Sequence, residues 1–370
     1  MPVEMIGWIA PRVASELVSA VGPSFDPAVI ASTAQIHEKA DFDRVLIGYF
    51  SNAPDGFMVG AHAAAVTDKL GFLLAHRPGF VAPTVAARKL ATFDQLSGGR
   101  VAVHIISGGS DTDQAKDGDH TDHAGRYRRS SEYIELLERT WTEPKPFSYD
   151  GEFYQIEDAY ADIRCLQAPR IPVYGGGGSD AAVNALAPHL DVFMLWGEPL
   201  AETATFMEKV RAQSRGRPIQ FSVSTRPILG RTDAEAWDRA HDIHARITEK
   251  MGTRPAHVPE NVGSKRLLAT AEQSDVHDTC LWTALAQLTG AQGNSTALVG
   301  SPETVAQAMV AYYDIGEQRK ELERQQAAVS DDALADQEAV IVGLKAEQEA
   351  INGAEQALVA REPIGPGDQR

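Results

Sequence analysis

The chain has 370 residues, of which 43% are hydrophobic, and a formal net charge of -17 at pH 7. That composition supplies a sizeable core. It also gives a surface that repels phosphate backbones and anionic membranes, so a nucleic-acid binder is excluded and any cationic patch must be local. The two cysteines, Cys165 and Cys280, form no CxxC pair, which leaves no zinc knuckle or disulfide framework to expect. No apolar run approaches the ~18 residues of a membrane span. The first residues carry Glu4 and no basic segment ahead of an apolar stretch, unlike a signal peptide. The expectation is a soluble, cytoplasmic protein.

Along the chain, short runs rich in Val, Ile, Leu and aromatics predict strands over residues 4–10, 44–49, 70–76, 101–107, 172–176, 191–196 and 219–229. Amphipathic stretches between them predict helices over residues 26–39, 83–96, 126–141 and 200–215. Asp26-Pro27 has the form of an N-cap followed by proline at the first helical position. Alternating strands and helices argue for a parallel sheet. Seven such units in about 230 residues favour a closed (β/α)8 TIM-type barrel over a doubly wound sheet. Two regions break the rhythm. Residues 231–295 are long, polar and mixed, and fit an insertion forming a lid over a barrel mouth. Residues 317–370 contain no aromatic side chain and are rich in Glu, Gln and Ala, which fits a charged helical or disordered tail. The expected division is therefore a barrel over 1–316 and an atypical tail over 317–370.

In a barrel, chemistry sits at the C-terminal ends of the strands. Gly175-Gly176-Gly177-Gly178-Ser179-Asp180 follows one strand end and opens a helix. Small residues let a ligand approach the backbone, and exposed amides favour a phosphate. The same pattern also fits a tight loop in which Ser179 or Asp180 caps the helix. Ser107-Gly108-Gly109-Ser110 ends another strand, where a flat ring can lie against the backbone or an ordinary loop can turn. His123 and Tyr127 are four residues apart and share a helix face if the helix has begun by His123. They fit either the polar edge of an aromatic cofactor or a packing pair. His76-Arg77 and Arg226 fall at strand ends, and arginine there fits a bidentate clamp on an anion or a rim salt bridge. Trp196 ends a further strand, as a pocket wall or a core residue. The histidines are scattered, Asp111, Asp113, Asp117 and Asp119 lack the EF-hand pattern, and no GxSxG elbow is present. No metal site or Ser-His-Asp triad is expected.

In order, these pieces resemble the bacterial-luciferase-like flavin-dependent monooxygenases, and among them the two-component alkanesulfonate monooxygenases. The resemblance rests on the stretch from Ala82-Pro83-Thr84 to Ala87-Arg88, then Ala91-Thr92-Phe93-Asp94-Gln95-Leu96-Ser97-Gly98-Gly99-Arg100. It continues through Asp122-His123 to Arg126-Tyr127, Tyr174 to Asp180, and Leu195-Trp196-Gly197-Glu198-Pro199. Asn261 to Arg266, Leu281-Trp282 and Thr296 to Gly300 complete it, so that it covers roughly residues 1–316. It implies an FMNH2- and O2-dependent enzyme supplied by an NAD(P)H:FMN reductase, cleaving the C–S bond of an organosulfonate, and a homodimer or homotetramer. The flavin phosphate would meet Gly178 and Ser179 with Tyr127 and His123 nearby. The ring would lie near His104, Ile106 and Ser107, and Arg226, Arg77 and Trp196 would face the substrate.

The departures are specific. Ala53 stands where the sulfonate enzymes carry cysteine, and Ser224 and Arg226 stand where they carry Arg-x-His. An arginine expected near residues 289–292 is missing. These losses open the same flavin chemistry on a non-sulfonate substrate as an alternative; the missing eighth strand after Gly316 opens a non-catalytic flavin-binding paralogue, and the same fold also admits a deazaflavin enzyme. After Gly316 the family continues with an apolar eighth strand, whereas here Glu317-Gln318-Arg319-Lys320 follows, which no buried parallel strand tolerates. Ala339-Val340-Ile341-Val342 is the one later strand-like run.

Overall fold

The computed structural model describes residues 3–12, 22–251, 259–291 and 295–316. Its elements, in order, are β1 (Ile6–Ile9), α1 (Pro27–Lys39), β2 (Arg44–Ile47), α2 (Gly56–Ala64), β3 (Gly71–His76), α3 (Pro83–Ser97), β4 (Val101–Ile105), α4 (Asp111–Lys116), α5 (His123–Thr142), β5 (Phe147–Asp150), β6 (Gln155–Ala159) and β7 (Val173–Gly176). There follow α6 (Asp180–Leu186), β8 (Val192–Trp196), α7 (Leu200–Gln213), β9 (Gln220–Ser224), β10 (Arg226–Leu229), α8 (Asp233–Met251), α9 (Val262–Gln273), β11 (Val276–His277), β12 (Leu281–Trp282), α10 (Ala284–Thr289), β13 (Ala297–Gly300) and α11 (Pro302–Gly316).

Seven strands form one curled parallel sheet in the order β1-β2-β3-β4-β7-β8-β9. Side chains of a strand alternate between its faces, and here the alternation separates two cores. Leu73, Ala102, Tyr174 and Val192 cluster inside the curve, with Ile6, Leu46 and Met194 against them. Phe72, Leu74, Val101, Val103, Ile105, Val173 and Phe193 belong to the larger core under the helices. Both faces being covered is why the strands are near-continuous apolar runs. The helices start where the sequence places caps. Asp26 Oδ1 accepts from the Ala28 amide at 2.9 Å with Pro27 next, and Asp122 Oδ1 accepts from the Gly125 amide at 2.7 Å. Asp94 of α3 is fully buried and accepts from the amides of Leu166 and Gln167 and from the Gln167 side chain, at 2.6, 3.1 and 2.7 Å. One carboxylate thereby fixes the approach to β7.

The strand expected over 219–229 is two strands. β9 pairs with β8, whereas β10 leaves the main sheet and pairs in parallel with β13. β13 also pairs with the β11–β12 hairpin. The break falls at Thr225 and puts Arg226 first on β10. The region expected as an insertion holds α8, α9, the hairpin and α10. It is partly a structural layer: Ala236, Ala240 and Ile247 of α8 share a core with Ile228, Trp282 and Val299. Among the described residues, β1 and β9 are the two edges of the seven-stranded sheet and are not paired with each other. The expected tail over 317–370, including residues 339–342, lies outside the described residues.

Candidate functional site

The interior of the curved sheet, with residues at both ends of its strands, lines an open chamber of about 2140 Å³. Of the sequence-predicted residues, His104, Ser107, His123, Tyr127, Gly178, Ser179, Trp196 and Arg226 line it together. Arg77 does not. Its guanidinium is 5% exposed, donates to Asp113 at 2.8 Å, lies 3.8 Å from Asp117 and stacks 4.7 Å above the Tyr49 ring. The strand-end rule found its place in the chain, but two carboxylates occupy it.

One side of the chamber is a cradle of backbone. β7 ends in the Gly176–Ser179 loop, and Ser179 Oγ accepts from the Ala182 amide at 3.2 Å, capping α6. A Cβ on Gly177 would stand 2.5 Å from the Tyr127 hydroxyl and 2.5 Å from the Ala182 Cβ. A Cβ on Gly178 would stand 3.1 Å from the Gly263 nitrogen. A side chain at Gly177 would force its neighbours to shift, and one at Gly178 would crowd the start of α9. The first turn of α9, capped by Asn261 through the Ser264 amide at 2.8 Å, comes directly onto this loop. α6 spans only seven residues, so the amides of the loop and of the 12-residue α9 carry most of the local positive potential. Tyr127 and His123 close the cradle with ring centroids 5.0 Å apart, edge to face. α5 begins at His123, so the pair shares one helix face. Burial pushes the Tyr127 phenol up despite the neighbouring Arg126, and it is a hydrogen-bond donor at neutral pH.

The adjoining wall is flatter. It comprises His104 and Ile106 with Ser107-Gly108-Gly109 on the β4 side, and Met194 and Trp196 on the β8 side. Trp196 lies against Gly263, where a Cβ would be 3.1 Å from the indole. The His104 Nδ1 is buried without a hydrogen-bond partner among the described residues. Burial lowers this imidazole to about 4, so it is neutral at physiological pH. Ser107 is held in place by its neighbours: its hydroxyl bonds Ser130 at 2.8 Å and its carbonyl accepts from Arg126 Nε at 3.1 Å.

Arg126 is the main residue missed by the sequence. It is 1% exposed, and it also donates to the carbonyls of Thr121 and Gly108 and to Asp111, at 2.6, 3.3 and 2.7 Å. It ties the β4 loop to α5 and holds the two halves of the site in register. Nothing in local spacing announces such a role. Asn261-Val262-Gly263 was also missed as a site element, although Asn ahead of a periodic run is a legible N-cap signal. At the opposite end of the chamber, Glu4 accepts from Arg44 Nε at 2.8 Å and from the Tyr174 hydroxyl at 3.0 Å, a polar floor inside the sheet. Among the described residues there is no cluster of three or more His, Cys, Asp or Glu able to hold a metal, and no helix is long and apolar enough to cross a membrane.

The sequence matches the model of the luciferase-like monooxygenase family over residues 4–319, and the chain belongs to that family. Its fold is similar to that of riboflavin lyase, solved with modified FMN and riboflavin (17% identity, 85% of each chain covered, TM-score 0.67). It is similar too to EDTA monooxygenase from Chelativorans sp. BNC1 (16% identity, 85% of this chain and 87% of that one, TM-score 0.66). An F420-dependent secondary alcohol dehydrogenase bound to an F420–acetone adduct shares the fold as well (13% identity, 85% and 91% covered, TM-score 0.60). At these identities the likeness is one of fold.

Proposed function

We propose that the chain is an FMNH2- and O2-dependent monooxygenase, supplied with reduced flavin by a separate NAD(P)H:FMN reductase and assembled as a homodimer or homotetramer. The observation that carries this is the cradle of Gly177, Gly178 and Ser179, the Tyr127 hydroxyl and the α9 start, set beside a wall formed by His104, Ile106 and Ser107 in the same chamber. A ligand with a phosphate at one end and a planar ring at the other fits both. Bound reduced flavin supplies the two electrons by which one oxygen atom of O2 enters the substrate and the other leaves as water. The chain's own tasks are to hold the phosphate through Ser179, Gly178 and Tyr127, with His123 at its edge, and to offer His104 to the ring. The remaining task is to keep bulk water from the reacting atoms.

For an organosulfonate, the substrate class the sequence resemblance implies, the balanced reaction is sulfonate, O2 and FMNH2 to aldehyde, hydrogen sulfite, FMN and water. Arg226 is the chamber residue to meet the sulfonate, and Trp196 would wall the carbon next to it. The same flavin chemistry on a non-sulfonate substrate is the second reading. It is favoured by the engagement of Arg77 with Asp113 and Asp117, which removes one arm of a cationic clamp. Anaerobic titration with reduced FMN and with reduced F420, followed by Trp196-dependent fluorescence quenching, tests the proposal. Saturable binding of FMNH2 in preference to F420 supports it. The reverse preference overturns the FMN assignment.

A further inference from the structure

The chamber's far corner, at the ends of β1 and β2, has a chemistry unlike the cradle. Trp8 faces inward on β1, paired with Leu46, and is 46% exposed; Phe50 follows β2 and is 55% exposed. Burying such rings is worth several kcal/mol each, so two that stand open on a cavity wall call for an occupant. Their placement is built. A Cβ on Gly48 would stand 2.6 Å from the Trp8 indole and 3.3 Å from the Phe50 ring, so only glycine lets both aromatics lie over that backbone. Behind them is a small annex of about 40 Å³, bounded by Trp8 and Phe50 and lined also by Ile9, Ile47, Ala53 and Val59. No titratable side chain lines it. Its lining is mostly apolar, so it favours carbon over a charged group.

The charged groups reached through Ser51 are already paired with one another. Ser51, next to Phe50, donates to Asp113 at 2.5 Å. Asp113 and Asp117 between them already engage Arg77. The annex itself offers no titratable side chain to receive an anionic head.

We infer that the substrate is an uncharged, largely hydrocarbon molecule whose body lies against Trp8 and Phe50 and whose terminal carbons enter the annex beside Ala53. This rests on the monooxygenase reading for the reaction, in which substrate, O2 and FMNH2 give oxygenated product, FMN and water. It stands apart from that reading as a statement about binding. Ala53, a half-buried side chain at the annex wall, sets the length of chain accepted.

The test compares methyl ketones with alkanesulfonates of matched length, six to twelve carbons, by calorimetric titration of the full chain with and without reduced FMN. Ketone affinity should rise roughly fourfold per methylene until the annex is full, and sulfonates of equal length should bind at least tenfold more weakly. Ala53→Phe should shorten the preferred ketone by one or two carbons while leaving reduced-FMN affinity unchanged. Trp8→Ala should lose about tenfold for every ketone, and Trp8→Phe should restore most of it. Sulfonates binding as tightly as ketones, or a length profile identical in Ala53→Phe, overturns the inference. Should Ala53→Phe not fold, Ala53→Leu carries the same expectation in smaller degree. Ketone selectivity in a protein that does not bind FMNH2 upholds the subsite and overturns the flavin reading. FMNH2 binding with no ketone selectivity does the opposite.

Discussion

Gly177→Ala puts a methyl group where the chain has no room for one. The new Cβ would lie 2.5 Å from the Tyr127 hydroxyl, against the 3.4 Å at which ordinary contact begins, and it meets the Ala182 Cβ at the same 2.5 Å. Ala182 is fully buried and yields little, so the phenol must retreat by about 0.9 Å. That distance takes a hydroxyl out of hydrogen-bonding range of a phosphate oxygen. A hydrogen bond to a charged acceptor contributes about 1.5–3 kcal/mol, so the Kd for reduced FMN should rise about 10- to 150-fold. Overpacking against Ala182 should also cost about 1 kcal/mol or more of stability. The assay is anaerobic fluorescence titration, with thermal unfolding alongside to establish that the variant is folded at the assay temperature. A double-mutant cycle with Tyr127→Phe isolates the cause. If both changes act through the hydroxyl, the double variant binds no more weakly than the worse single one. A folded Gly177→Ala with wild-type affinity would refute the cradle.

The other predictions concern charge. Arg77→Ala should lower stability by about 2 kcal/mol or more, because it strips a buried partner from Asp113, and should leave FMNH2 affinity within twofold; a fall in affinity without a fall in melting temperature would return Arg77 to the site. His76 is 4% exposed, its Nε2 lies 2.6 Å from the Tyr133 hydroxyl, and burial, with Lys89 nearby, lowers it to about 4 from 6.5. As pH falls from 6.5 toward 4 the unfolded chain takes up a proton that the native state refuses, so the stability held above pH 6.5 is progressively lost, by up to about 1.4 kcal/mol per pH unit. His76→Gln should flatten the fall in urea midpoint between pH 7 and 5, and an unchanged fall would remove His76 as its source. The net charge of -17 opposes the approach of an anionic flavin, so stopped-flow association of FMNH2 should quicken as salt rises from 20 to 200 mM; slowing would mean that the arginines lining the chamber, Arg226 and Arg266 among them, steer the flavin in.

Much of the architecture was written in local pattern. Strands buried on both faces read as apolar runs, and Asp26, Asp122, Ser179 and Asn261 mark helix starts by their own side chains. The break at Thr225 was illegible because both halves, β9 and β10, are equally strand-like; only their partners, β8 and β13, differ. The α9 contact with Gly178 joins residues 263 and 178, and no local period encodes it. Arg77 shows the limit most clearly. Its strand end was right, but its partners come from α4 and the residue after it, a loop whose aspartates look in sequence like a failed metal site.

Those aspartates organise the electrostatics of the whole rim. Asp111 holds Arg126, Asp113 and Asp117 hold Arg77, and Asp119 holds Arg129 at 2.5 Å. Burial works to raise the Asp119 carboxyl, but the hydrogen bonds from Arg129 and Thr121 outweigh it and bring it to about 2. The pair is therefore ionised at neutral pH. Three arginines beside the β3 and β4 ends are thus pinned as struts, and their charge is spent within the scaffold. On the phosphate side the fixed dipoles of the Gly177–Ser179 loop and α9 remain, and they sit across the rim from Trp8 and Phe50. A chamber divided in this way orients a molecule with a phosphate at one end before any reaction. It leaves the aromatic corner for a second molecule that brings apolar surface and no charge.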